Sequence, residues 1–407
     1  MRTLSRHWLS TIIAALLLVK TALTFNCQAE PTPLVSGNNS FAFDLYSHLN
    51  GQPGNLFFSP FSISMCLGMT YAGSRDNTET QMRVALHFPD LPNATSPAFA
   101  TLQQQLDEEK KRDGIQLDIA NALWASRGDS FLPAFMKSAA DDFQANIKRA
   151  GFFTSAESAR VEINNWVAGK THDKIGEILP PGSLDKETKL VLVNAIYFNA
   201  RWANPFQKIN TSPQPFHLSA TTQTNAVFIR KTESALYGAS GDMQIVEIPY
   251  AGKEISMMIL LPSQHEEIAG IEKQLSADNL ENWANELRPS QVQIELPKFT
   301  LESHFKLRET LAGMGMSEAF SPAAANFSGM DGVGNLYISQ VFHQAWVEVS
   351  EEGTEAAAAT AVQMRPRGMR HPQNAVFRAD RPFLFLIRDR TSGTVLFMGR
   401  VADPTLR

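Results

Sequence analysis

Leu190 to Phe198 reads LVLVNAIYF, a β-branched and almost wholly apolar run. A strand this apolar belongs in the middle of a sheet, because an edge or half-solvated strand would alternate with polar residues. Other strand-like segments surround it in sequence. Gln116 to Ala125 precedes it. Met243–Ile248 and Ile255–Leu261 flank a turn at Tyr250 to Lys253 and read as a hairpin. Val292–Leu296 and Leu336–Val349 follow, and Phe383–Ile387 with Val395–Met398 closes the chain as a hairpin around Thr391-Ser392-Gly393. Helical patterns concentrate earlier. Ser40–Leu49 puts Phe41, Leu45 and Leu49 on one stripe, and Ser59-Pro60 opens a helix through Ile63, Leu67 and Tyr71. Thr78 with Gln81 reads as a capping pair opening a third helix, and Ala134–Ile147 and Val161–Ile178 read as two more. Helices first and hairpins later predict an α+β fold with mostly antiparallel sheets. No internal repeat or linker divides the chain.

The N-terminus reads as a targeting segment. Arg2, Arg6 and His7 precede an apolar run from Trp8 to Val19, and Cys27-Gln28-Ala29 offers small residues at a cleavage site. That pattern resembles a secretory signal over residues 1–29, with one domain over 30–407, and the run is short for a membrane span. An uncleaved anchor is the alternative. The expected location is secreted, or periplasmic in a Gram-negative host, with no membrane contact after signal removal. Cleavage would leave Cys66 as the sole thiol, so no internal disulfide forms and Cys66 is expected to be a buried small hydrophobe. Sequons occur at Asn38, Asn93, Asn210 and Asn326.

The 407 residues carry a net charge of −5 and no long basic block, which argues against a nucleic-acid partner. The chain lacks a G-x-S-x-G elbow, a phosphate-cradling G-x-x-x-x-G-K, a G-x-G-x-x-G after a strand, and C-x-x-C. His265-Glu266-Glu267 lacks the second histidine of a zinc helix. An enzyme, a metal site or a cofactor is therefore not expected, and the role reads as binding or inhibition.

Four segments together resemble the serpin family of serine-protease inhibitors. They are the opening segment, Asn55–Met82 (NLFFSPFSISMCLGMTYAGSRDNTETQM), Leu190–Phe206 (LVLVNAIYFNARWANPF), and Phe377–Ile387 (FRADRPFLFLI) followed by FMGRVADP. The similarity runs from about Ser40 to Pro404. It implies three β-sheets, eight or nine helices, and an exposed reactive loop over about residues 351–376. In that family a target protease cuts the loop, and the freed segment enters a sheet as a new strand.

The loop's own pattern suits that task. The resemblance places the hinge at Glu351, Glu352, Gly353, Thr354, Glu355, Ala356, Ala357, Ala358, Ala359 and Thr360. From Thr354 to Met364 the even-numbered residues carry no charge, while Glu355, Gln363 and Arg365 fall on the odd set. A strand with this parity can turn one side to a core and the other to solvent or a helix. Gly353 permits the turn without a side-chain clash. Intrinsic propensity alone would make Glu355–Met364 a helix.

The resemblance places the residue read by the target fourteen after the hinge glycine. That is Arg367, with Arg367–Gly368 as the scissile bond. Arg370 is the alternative, because Pro382 lies fifteen residues after Arg367, farther than in many family members. Either arginine suits a trypsin-like protease with a carboxylate in its specificity pocket. Pro366 makes Arg365–Pro366 a poor substitute bond and stops ladder pairing. The implied partner is a trypsin-like serine protease in a covalent one-to-one complex, with the inhibitor itself a monomer. The family's shutter maps to Ser59, Ser62, Asn194 and His343, and its breach to Trp202, Lys298 and Glu351, with an expected Lys298–Glu351 ion pair. No cofactor is expected, and the mixed charges of Asp107–Asp113 give no basis for glycosaminoglycan activation. The alternative function is a non-inhibitory serpin that binds, stores or chaperones.

Overall fold

The computed structural model describes residues 32–51, 53–90, 94–111, 114–263, 267–354 and 375–406. Seven helices of ten residues or more occur among them: Pro33–Leu49, Pro60–Ala72, Asp76–Ala85, Thr95–Lys110, Pro133–Phe143, Ala156–Lys170 and Ala277–Glu286. The fold is α+β, as the order of helical and strand patterns predicts.

The central sheet contains β1 (Ile115–Ser126), β2 (Asn146–Ala150), β3 (Leu190–Arg201), β4 (Phe299–Lys306), β5 (Ile338–Val349) and β6 (Gly353–Thr354). Its order is β4-β5-β6-β3-β1-β2, and β5 also pairs directly with β3. Most neighbours are antiparallel, but β5 and β3 run parallel, with Ile338 opposite Leu190 and Trp346 opposite Tyr197. A second, nine-stranded sheet includes Leu56–Phe58, Gln223–Ser240 and the hairpins Met243–Pro249/Ile255–Pro262 and Phe383–Asp389/Val395–Val401. The described residues thus form two hydrogen-bonded sheets where three were expected. The 18-residue strand Gln223–Ser240 pairs with Ser212–His217, with Arg288–Pro297 and with Met243–Pro249, joining what would otherwise be separate ladders.

The apolar run in β3 has a direct explanation. Leu190, Leu192, Ile196 and Phe198 face the large core between the two sheets. Val191, Val193 and Ala195 face a smaller core on the opposite side, roofed by Ala159, Ile163 and Val167 of the Ala156–Lys170 helix. Both faces are covered, so alternation disappears. Beneath the inner face lies the Pro60–Ala72 helix. Ser59 caps it by accepting from the Ser62 N–H at 3.1 Å, Pro60 opens it, and it is buried around its circumference from Pro60 to Thr70.

Several local expectations are corrected. The first helix begins at Pro33, seven residues before Ser40, capped by the Thr32 side chain. Thr78 and Gln81 do not cap a helix: Arg75 holds that position, Thr78 accepts from the Asn326 N–H, and Gln81 accepts from the Glu318 N–H. The pattern read to Ile147 stops at Phe143, where Gln144 turns left-handed, and Asn146 starts β2. The helix read as Val161–Ile178 spans Ala156–Lys170, and the left-handed His172 and Asp173 end it. Asn38 is buried and donates to the Val395 carbonyl, so it is no glycan acceptor in the folded chain. Asn210 is exposed. Asn93 and the targeting segment lie outside the described residues.

Candidate functional site: a parallel seam with a wedge at its head

The site is the boundary between β3 and β5. A row of four strands crosses it midway, with Asn121 of β1, Asn194 of β3, His343 of β5 and Phe305 of β4 in register. Asn194 donates to the Ser62 carbonyl at 3.0 Å and also to the Asn121 side-chain oxygen. His343 Nδ1 meets Asn194 Oδ1, and His343 Nε2 accepts the Ser59 N–H at 3.1 Å. The acceptor role of Nε2 places the ring proton on Nδ1, where it donates to Asn194 across the seam. Ser59 Oγ donates to the Leu396 carbonyl at 2.6 Å and accepts from Ser62. Phe305 stacks on the imidazole with ring centroids 6.2 Å apart. Burial pushes the His343 imidazole down to about 3, so the ring is neutral. These four predicted residues therefore form one network, fully buried and without charge.

The head of the seam is organised differently. After β5 the chain turns at Ser350, whose N–H donates to the Gly353 carbonyl at 2.8 Å. Gly353 and Thr354 then run back between β5 and β3 as β6, pairing Thr354 with Val349 on one side and with Ala200 on the other. Gly353 adopts φ +149°, and a Cβ there would lie 2.0 Å from the Ala200 carbonyl oxygen, so only glycine fits. Thr354 is fully buried, 3.1 Å from the Tyr250 hydroxyl.

Trp202 supports this turn from below. Its backbone N–H donates to the Glu352 carbonyl at 2.9 Å, its indole N–H donates to the Ser350 carbonyl at 3.0 Å, and its ring stacks on Tyr250 at 4.5 Å. The expected ion pair is present: Lys298 Nζ lies 2.9 Å from Glu351 Oε2, and Thr211 donates to Glu351 Oε1 at 2.9 Å. Burial raises the Glu351 carboxyl, but the bonds from Lys298 and Thr211 outweigh it and hold it below the usual range. Lys298 is 36% exposed, so the pair is worth at most about 1 kcal/mol.

Comparison with known proteins identifies the family. The serpin (serine protease inhibitor) family model covers residues 36–404. The leukocyte elastase inhibitor of Xenopus laevis is 40% identical over 379 residues, spanning 91% of this chain and 99% of its own. The chain is a serpin. The human leukocyte elastase inhibitor is 39% identical over 381 residues with the same coverage. The native thermophilic serpin tengpin aligns with a TM-score of 0.82 at 29% identity, over 91% of this chain and 94% of its own. The family is one of protease inhibitors, not enzymes.

In this serpin Glu351, Glu352, Gly353 and Thr354, the described part of the expected hinge, sit at the head of the seam. Glu355, Ala356, Ala357, Ala358, Ala359, Thr360, Arg365, Pro366, Arg367, Gly368 and Arg370 lie outside the described residues. Sequence reasoning missed Asn121, Tyr250 and Thr211. Asn121 had a signal: it occupies the inward-facing parity of β1, between Leu117 and Leu123, where a polar residue needs a partner. Tyr250 and Thr211 carried no such mark, because their partners are distant in sequence. Burial pushes the Cys66 thiol up to about 12, consistent with a small core hydrophobe. Among the described residues no helix is long and apolar enough to cross a membrane, and no three His, Cys, Asp or Glu side chains gather as a metal site.

Proposed function

We propose that this serpin is a secreted suicide inhibitor of arginine-specific, trypsin-like serine proteases, cut at Arg367–Gly368. The observation that carries the reading is the placement of Gly353 and Thr354 between two parallel strands at the head of the seam. Continuing that register sets the rest of the loop. A loop inserted in that register would bring Thr360, six residues beyond Thr354, to Asn194 and His343, which lie six back from Ala200 and Val349. A hydroxyl then arrives where the Asn194–His343 bond must part, and its donor and acceptor can serve both groups. On the same register the even-numbered set faces the large core beside Leu192, Ile196 and Phe198. Ala359 and Ala361 come to lie under the Ala156–Lys170 helix beside Ala195, Val193 and Phe342, where small residues fit. Glu355 and Arg365 fall at the two ends of that set. The small residues of the loop thus match the part of the slot that the helix covers.

The reaction follows from strand addition. The protease serine attacks the Arg367 carbonyl and forms an acyl-enzyme, releasing the Gly368 amine. The tethered segment then zips down the seam, carrying the protease ~40 Å at ~3.3 Å per residue. Trapping succeeds when insertion outruns deacylation. The frog and human relatives are named for elastase. Arg367 instead presents a guanidinium that pairs with a carboxylate-based pocket, and the loop, not the scaffold, sets this preference. The apolar run at Trp8–Val19 supports export.

The test is incubation with trypsin. The proposal expects a one-to-one complex that survives boiling in SDS. Thr354→Arg should be cleaved without forming it, because a guanidinium would have to enter the Tyr250 pocket. Cleavage of the wild-type chain at every encounter, with no complex, would reject inhibition in favour of a binding or storage role.

A further inference from the structure

The outer face of the seam carries a second fastening. Tyr197 of β3 and Trp346 of β5 are register partners, and their rings lie 5.6 Å apart across the boundary. Both are buried, at 3% and 8% exposure, although they sit above the part of the sheet roofed by the helix core. The segment just after the Ala156–Lys170 helix meets both rings. His172 lies against Tyr197 with centroids 6.3 Å apart, and its Nε2 is 3.1 Å from Asp118 Oδ2. Gln116 donates to the same carboxylate oxygen at 2.7 Å. Asp118 is the register partner of Tyr197 on β1, so His172 grips the β1–β3 side. Two residues on, Lys174 places its ammonium 4.9 Å from the Trp346 ring centre, gripping β5.

The backbone between these grips is committed to its shape. His172 and Asp173 hold φ of 52° and 59° without being glycine. On the N-terminal side Thr171 is fully buried, donates to the Val167 carbonyl at 2.9 Å and accepts from the Ile175 N–H at 3.2 Å. A three-residue bridge, anchored at its base, thus spans the two strands that must separate.

We infer that His172 and Lys174 are positioning residues that set the rate at which the seam opens. The inference rests on the proposed insertion mechanism. Inserting a strand doubles the β3–β5 separation from ~4.8 Å to ~9.6 Å, and the Tyr197–Trp346 contact cannot survive that. Nor can one rigid turn keep hold of both rings. Three residues beyond Thr354, the inserting strand brings Ala357 between Tyr197 and Trp346. The bridge is therefore met early, three positions before the Asn194–His343 bond, and its release gates everything below it.

The measurement is annealing of a synthetic peptide of residues 355–364, which begins where the chain's own Thr354 ends, into the intact full-length chain, followed by native gel and tryptophan fluorescence. It needs no protease. Lys174→Met keeps bulk without charge and should anneal several-fold faster than wild type. Combined with His172→Gln, the rate should rise about tenfold. Lys174→Arg, which keeps a cation over the ring, should restore the wild-type rate. The melting temperature of the loop-cleaved form should not change in any variant, a result a general loss of packing would not give. Equal annealing rates in wild type and the double variant would overturn the bridge. Failure of the peptide to anneal to any variant would instead reject the insertion mechanism on which it rests.

Discussion

The two ends of the β3–β5 seam are built from different materials. At its head, a strand has already begun: Gly353 and Thr354 take backbone bonds from both sides, and the turn is steadied by a partly exposed Lys298–Glu351 pair. At its middle the strands are sewn by neutral, fully buried side chains that hydrogen-bond one another across the boundary. Exposed ion pairs are cheap to rearrange because water replaces them, whereas a buried polar network that loses one member leaves the others unsatisfied. The seam is thus easy to start and hard to finish, as the proposed insertion mechanism requires.

That contrast can be broken by experiment. Asn194→Ala should have the largest effect, leaving the His343 Nδ1–H, Ser62 and Asn121 short of partners and costing the intact form about 2–4 kcal/mol in urea unfolding. The cleaved form should lose less, since the inserted Thr360 hydroxyl would still serve His343 when Asn194 is gone. Equal losses in both forms would mean the network does not guard the seam. Acid should act more gently. The folded state holds the His343 proton affinity down to about 3, while an unfolded histidine binds a proton below about 6.5. The unfolded chain therefore binds more protons between those values. Stability is full above pH 6.5 and falls by about 1.4 kcal/mol per unit as pH drops toward 3. Urea titrations of wild type and His343→Gln from pH 7 to 5 should differ by that slope. Smallest of all, Lys298→Ala should cost under about 1 kcal/mol, less in high salt. A loss rivalling that of Asn194→Ala would mean that the head of the seam is not the weak end.

Much of this was legible in the sequence, for reasons of differing strength. The apolar run at Leu190–Phe198 announced a doubly covered strand because burial on both faces erases alternation. Ser59-Pro60 announced a helix start because capping chemistry is local. Helix ends were harder. His172 and Asp173 stop their helix through left-handed backbone that tertiary contacts with Tyr197 and Asp118 sustain, and no glycine marks the place. The long strand Gln223–Ser240 went unread because its exposure shifts along its length as it passes from one partner to the next, so no single period describes it. Within the site, the shutter and breach residues came from family resemblance. Their partners Asn121, Tyr250 and Thr211 needed coordinates, since each pairing spans 73 residues or more of chain.

The most direct test of the account compares melting of the intact chain with that of the chain nicked once in its reactive loop. If the seam is an unfilled slot, the nicked form gains a central strand of about eleven residues and should melt about 20 °C or more above the intact form. If the two forms melt together, the slot does not fill, and the parallel pair β3–β5 is only a part of the scaffold.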